Sequence, residues 1–142
     1  MTKRSAVRHA FLALFVLCLP AAAESMLALK VSSPLMVSGA AGLRFPSAGR
    51  TWSPSIQAEA GVGGGKILVG GDTFGAGFGL GVKAVLLRTW LEPVEVEPDT
   101  TYLGAEFEAG FRQLFAAAGA YARVGGEDND DLLLGISLGW ML

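Results

Sequence analysis

The chain has 142 residues, 51% of them hydrophobic, 17% charged and 20 of them glycine, a composition too apolar for disorder and a length suited to one domain. Its formal charge is −2, and loss of Lys3, Arg4 and Arg8 with the leading segment would leave 8 basic against 13 acidic residues, or −5. Such a balance gives no electrostatic reason to expect nucleic acid as a partner.

Residues 1–23 have the order of a cleavable secretory signal: basic Lys3, Arg4 and Arg8, an apolar run over 11–19, then Pro20 and three alanines before Glu24. The alternative, a membrane anchor, is disfavoured because residues 10–23 fall short of the ~20 apolar residues of a spanning helix. The expected division is a signal over 1–23 and a single β domain over 24–142. Cys18 and His9, the one cysteine and one histidine, leave with the signal.

In the mature chain, period-two alternation recurs in runs separated by turn signals, and no sustained helical spacing interrupts it. Residues 35–45 and 55–63 come first. In 75–87, Ala76, Phe78, Leu80, Val82, Ala84 and Leu86 share one face, against Gly75, Gly77, Gly79, Gly81 and Lys83. Residues 102–112 set Leu103, Phe107 and Phe111 against Gly104, Glu106, Glu108 and Arg112. Residues 114–124 place an alanine row opposite Phe115, Tyr121 and Arg123, and 132–142 place Leu134, Ile136, Leu138 and Trp140 opposite Gly135, Ser137 and Gly139.

Every charge in these six runs (Arg44, Glu59, Lys83, Glu106, Glu108, Arg112, Arg123) lies on the glycine-bearing face, and so does every glycine except Gly39. A water-facing row of glycines would weaken its strand with no packing return. Inside a narrow barrel the same row leaves room for long side chains to pair, while the apolar face meets lipid. Alternation alone does not say which face points outward, so an inside-out soluble barrel stays open.

Splitting 26–45 at Ser33-Pro34 and 55–71 at Gly63-Gly64-Gly65 predicts a closed antiparallel up-and-down barrel of eight strands. Leaving both whole gives six longer strands. Six would restore perfect long and short loop alternation, but its first strand would far exceed the ~9 to 11 residues that span a bilayer. The longer connections, 89–101 and 125–131, carry Glu92, Glu95, Glu97 and Asp99, and Glu127, Asp128, Asp130 and Asp131, and are expected together at one end.

The C-terminal Gly135-Ile136-Ser137-Leu138-Gly139-Trp140-Met141-Leu142 resembles the closing strand of small bacterial outer-membrane β-barrel proteins, and Ala40-Ala41-Gly42-Leu43-Arg44-Phe45 is similar to another strand of that superfamily. The resemblance implies the fold, a bacterial outer-membrane location, and lipids and the outer-membrane assembly machinery as partners. It implies no specific activity.

Without His or Cys in the mature chain, histidine-dependent triads and zinc sites built on those residues are excluded, which disfavours the barrel-shaped lipid A deacylases that pair serine with histidine. Glu106 and Glu108, with Glu59 nearby, could divide acid and base roles. The favoured reading instead is a structural lumen network of Glu59, Lys83, Glu106, Glu108, Arg112 and Arg123. The acidic run 127–131 lacks the ligand spacing of an EF-hand, and Gly61 to Lys66 lacks the order of a phosphate loop. Trp90 and Trp140 sit in phase with the apolar faces near opposite strand ends, as aromatic girdles do.

The expectation is a small non-enzymatic outer-membrane barrel with acidic extracellular loops and an envelope or surface-contact role, with no cofactor and no metal. The alternative is a soluble periplasmic β-barrel or sandwich that binds a small apolar ligand. The first expected outcome is an exported protein whose N-terminal residue is Glu24, checked by intact mass of the purified chain.

Overall fold

A computed structural model describes residues 23–46, 48, 51–91, 98–124 and 132–142, the side chain of Phe74 excepted. Eight strands follow one another: β1 (Glu24–Ser32), β2 (Met36–Arg44), β3 (Trp52–Gly61), β4 (Gly64–Gly75), β5 (Phe78–Thr89), β6 (Thr101–Phe111), β7 (Leu114–Arg123) and β8 (Leu132–Met141). Each pairs antiparallel with the next and β8 pairs with β1, closing the barrel. Eight strands, not six, is the outcome.

Both expected breaks occur, at residues 33–35 and 62–63, the second earlier than Gly63-Gly64-Gly65 because Gly64 and Gly65 already belong to β4 and the run expected over 55–63 is β3, Trp52–Gly61. At the first, Leu35 turns into the barrel and is fully buried, so the run expected over 35–45 starts as a strand only at Met36. A further break corrects the run over 75–87. Ala76 and Gly77 have φ of 51° and 81°, the pair of positive values that a two-residue type I′ hairpin requires. That turn matches the right-handed twist of β4 and β5, and the alternation resumes at Phe78.

We call the end where β1 begins and β8 finishes the lower end. β2 and β3, β4 and β5, and β6 and β7 succeed one another at that end, and β1 and β2, β3 and β4, β5 and β6, and β7 and β8 at the upper end. Both acidic connections therefore leave the same end, as expected. Asp99 is exposed there, while Glu92, Glu95, Glu97, Glu127, Asp128, Asp130 and Asp131 lie outside the described residues. Long above and short below holds from β4 onward but not earlier, because the upper turns at 33–35 and 62–63 are tight.

The barrel is inverted relative to a water-soluble core. Ile136 is 69% exposed and Phe107 50%, whereas Lys83 is 1% and Glu59 3% exposed. Buried charges and exposed large apolar residues are the informative exceptions to ordinary burial, and here they divide by face. Two tryptophans finish the outer wall. Trp52, at the lower start of β3, lies across Gly71, and Trp90, just past the upper end of β5, lies across Gly65. In each case an aromatic ring covers backbone that a glycine leaves bare. Trp90 and Trp140 are exposed near opposite ends, where the sequence placed them.

Within the lumen, Leu35, Leu68, Val85, Leu87, Tyr102 and Tyr121 form an apolar cluster, joined by Leu133. Shortening a member leaves a void that the ring of strands cannot collapse around. Leu87→Ala is expected to cost ~2 to 5 kcal/mol of unfolding free energy, measured by urea titration.

Candidate functional site: the charged lumen

Inward positions of an eight-stranded barrel converge on an axis just wide enough for side chains, so each large residue needs a small neighbour. Tyr121 illustrates this. Its ring occupies a cradle of Gly104, Gly119 and Gly135, and a Cβ built at Gly104 or Gly135 would stand 2.8 Å from a ring carbon. Phe115 likewise lies over Gly139, and Gln57 over Gly42. The glycine-bearing face is thus the lumen wall, and its glycines make room for aromatic and amide side chains as well as for charges.

The charges gather into three groups. Lys30 on β1 reaches Glu59 on β3 at 3.2 Å, and the Ser38 hydroxyl donates to Glu59 Oε1 at 2.6 Å. Lys66 on β4 lies 3.4 Å from Glu106 on β6, and its ammonium also donates to the Tyr121 hydroxyl oxygen at 3.4 Å. Lys83 on β5 bonds Glu108 and lies 3.4 Å from Asp72. Asp72 in turn lies 3.9 Å from Arg44, which is 3.7 Å from Glu24 at the lower rim. Lys30 also sits 5.0 Å from the centre of the Phe115 ring, and Lys66 5.5 Å from that of Tyr121, within range of a cation–π attraction.

Most of these partners are not direct cross-strand neighbours. In the register Glu59 faces Lys66, and Lys83 faces Glu106, yet Glu59 pairs with Lys30 and Lys83 with Glu108. Lys30 lies two strands from Glu59, and Lys66 two strands from Glu106. The side chains bridge across the wall and hold non-adjacent strands at fixed separation. Burial of the ammonium and carboxylate groups is tolerated because each meets an opposite charge.

Of the six residues expected in the lumen network, Glu59, Lys83, Glu106 and Glu108 are in it. Arg123 stands half-buried near the upper end of β7. Arg112 is a partial correction, since it borders the lower mouth of the lumen beside Asp72, Lys83 and Glu108 but stands at the rim and not within the wall. It occupies the β6–β7 turn with φ 56° and is exposed, and its guanidinium carbon lies 5.4 Å from the ring centre of outward-facing Phe111. A hairpin of minimal length puts its first residue beyond the last inward position, so the alternation that assigned Arg112 to the lumen ends at Phe111. Lys30, Lys66 and Asp72 are members that alternation in the six runs missed. Each was readable in phase: Lys30 with Met26 and Ser32, and Lys66 with Leu68, Gly70 and Asp72.

Glu59, Glu106 and Glu108 are each held by a different lysine, an arrangement that fixes them in place and does not pair two of them for acid and base work. Among the described residues no three His, Cys, Asp or Glu gather as a metal-binding group. At the lower mouth, Gln57, Asp72, Lys83 and Glu108 border a cavity of about 20 Å³, with a neighbour of about 10 Å³ beside Lys30 and Gln57. Each is about the room one water needs. Comparison of the chain with known protein families, curated proteins and solved structures finds no match.

Removing one partner strands the other charge in the wall. Glu59→Ala is expected to cost ~3 to 5 kcal/mol, and the apolar pair Lys30→Met with Glu59→Leu to recover most of it. Unfolding free energies of Glu59→Ala and of the double variant check this.

Proposed function

We infer that the mature chain is a non-enzymatic bacterial outer-membrane β-barrel that serves the envelope structurally or through surface contact. The observation that carries this reading is the inversion itself: a continuous apolar outer wall around a lumen of paired charges. Water is a poor solvent for that wall, and hydrocarbon is a good one. A closed ring satisfies every strand's backbone groups without an exposed edge, the condition hydrocarbon imposes on any spanning structure. The strands have 9 to 12 residues, against the ~9 to 11 that cross a bilayer when tilted. The exported precursor expected from residues 1–23 agrees with this location, and lipids are then the first partner of the mature chain.

The soluble alternative needs an interior that takes an apolar ligand, whose pockets run to ~300 Å³ or more. The lumen is instead occupied by Tyr121, Phe115 and the ion pairs. The same filling argues against bulk conduction. Catalysis has little to work with: the carboxylates are held in ion pairs, and the chain after residue 23 carries neither His nor Cys. The acidic residues carried between β5 and β6 and between β7 and β8 are the chain's candidates for contact with another surface.

Arg placed at Phe107 or Ile136, near mid-strand on the outer wall, is expected to cost ~2 to 4 kcal/mol of folding free energy in a bilayer. The test is refolding into phosphatidylcholine vesicles followed by heat-modifiable electrophoretic mobility. An unchanged folded fraction under denaturant for both variants would remove the basis of the membrane reading.

A further inference from the structure

Among the described residues, Arg88 is the one charged side chain that a strand directs to the outer wall. Alternation along β5 sends Phe78, Leu80, Val82, Ala84, Leu86 and Arg88 outward. Five of the six are apolar, and the sixth, one residue from the upper end, is a guanidinium. Arg88 borders an outer groove of about 420 Å³, together with Ala58, Gly65, Ile67, Leu86 and Trp90. Ala58 is small and deepens the groove, while Gly65 lies under the Trp90 ring at its upper wall. Its upper wall is held in place, since the Trp90 indole N–H donates to the Val62 carbonyl at 2.9 Å.

The guanidinium is not committed to a strong partner. It donates to Thr101 Oγ1 at 3.2 Å and to Asp99 Oδ1 at 3.4 Å, but the two side chains of the ion pair are 58% and 81% exposed. An exposed pair of that length contributes little. Two N–H donors on a planar fork suit a phosphate better than a distant carboxylate. Directly below the cation lies the apolar groove, and directly beside it the amphipathic indole.

We propose that this groove is a binding site for an anionic lipid of the leaflet at the upper end, one whose phosphate is not neutralised by a choline or other cation, with that phosphate on Arg88 and an acyl chain along Leu86, Ile67 and Ala58 beneath Trp90. The proposal rests on the membrane reading above and adds to it a specific lipid class at a specific place. Occupation displaces Asp99 from Arg88. Asp99 has φ 54°, a conformation asparagine also adopts readily, so Asp99→Asn removes the competing charge without straining the turn.

The experiment reads the fluorescence of Trp90 in the full mature chain, refolded into phosphatidylcholine vesicles that carry a minor fraction of one lipid brominated on its acyl chain. Trp52 and Trp140 are replaced by Phe, and the difference between wild type and Trp90→Phe supplies the same quantity should that background fold poorly. Brominated phosphatidic acid is expected to quench Trp90 about fivefold more than the same fraction of brominated phosphatidylcholine, the enrichment expected of one interfacial cation. Arg88→Gln should abolish the preference, Arg88→Lys should weaken it, and Asp99→Asn should increase it. Equal quenching by the two lipids in the wild type, or a preference that survives Arg88→Gln, overturns the proposal. Failure of the membrane reading looks different: Trp90 would then go unquenched even by a bilayer made wholly of brominated phosphatidylcholine.

Discussion

β8 closes onto β1 over five residue pairs, from Ala28 opposite Met141 to Ser32 opposite Ser137, the shortest of the eight strand interfaces. The remaining features follow from that closure. A closed ring of eight has no edge to cover, but it fixes a narrow lumen whose width the side chains cannot change. Each inward position must then be small, or long enough to reach across and find a partner. Tyr121 over three glycines is one solution, and Lys66 reaching Glu106 is the other. The outer positions face no such limit and carry most of the branched and aromatic residues.

The ion pairs consequently act as spacers more than as chemistry. Lys30 with Glu59, Lys66 with Glu106 and Lys83 with Glu108 tie strands together across the wall. In a low-dielectric surround such pairs tolerate neither loss of one partner nor a change of length, which makes the network a strong constraint on register. A one-residue slip of β4 would carry Lys66 and Asp72 to the apolar outer wall and bring Ile67 and Val69 into the lumen. The charges therefore select the register even if their net contribution to stability is small.

The fold was largely legible because its signal has period two and repeats. Where alternation was clean, as in 102–111 and 132–141, the sequence assigned every face as the structure has it. It failed where glycines or turns interrupted the count. Ala76 and Gly77 continue the alternating pattern in composition while turning the chain through a hairpin, since positive φ leaves no mark on hydropathy. The glycines at 61–65 hid the start of β4 and with it Lys66. Arg112 and Arg88 lie at strand ends, where one residue decides between wall and rim. Partner choice was legible only in part: Lys83 with Glu108 joins two expected members, but Glu59 prefers Lys30, two strands away, over Lys66 directly opposite. Only a closed circumference brings such residues together.

The central claim is that the outer wall meets hydrocarbon and the glycine-bearing face does not. β8 tests it most directly, because its outward and inward residues alternate without interruption from Leu132 to Met141. Beyond Cys18 the chain has no cysteine of its own. Single cysteines carrying spin labels can therefore be placed in turn at Leu134, Gly135, Ile136, Ser137 and Leu138, and their accessibility to oxygen and to a water-soluble nickel chelate compared in vesicles. The account predicts that oxygen accessibility alternates with period two, high at 134, 136 and 138, while the chelate reaches none of those three. High chelate accessibility at 134, 136 and 138 would mean that water bathes the apolar wall, and would contradict the account.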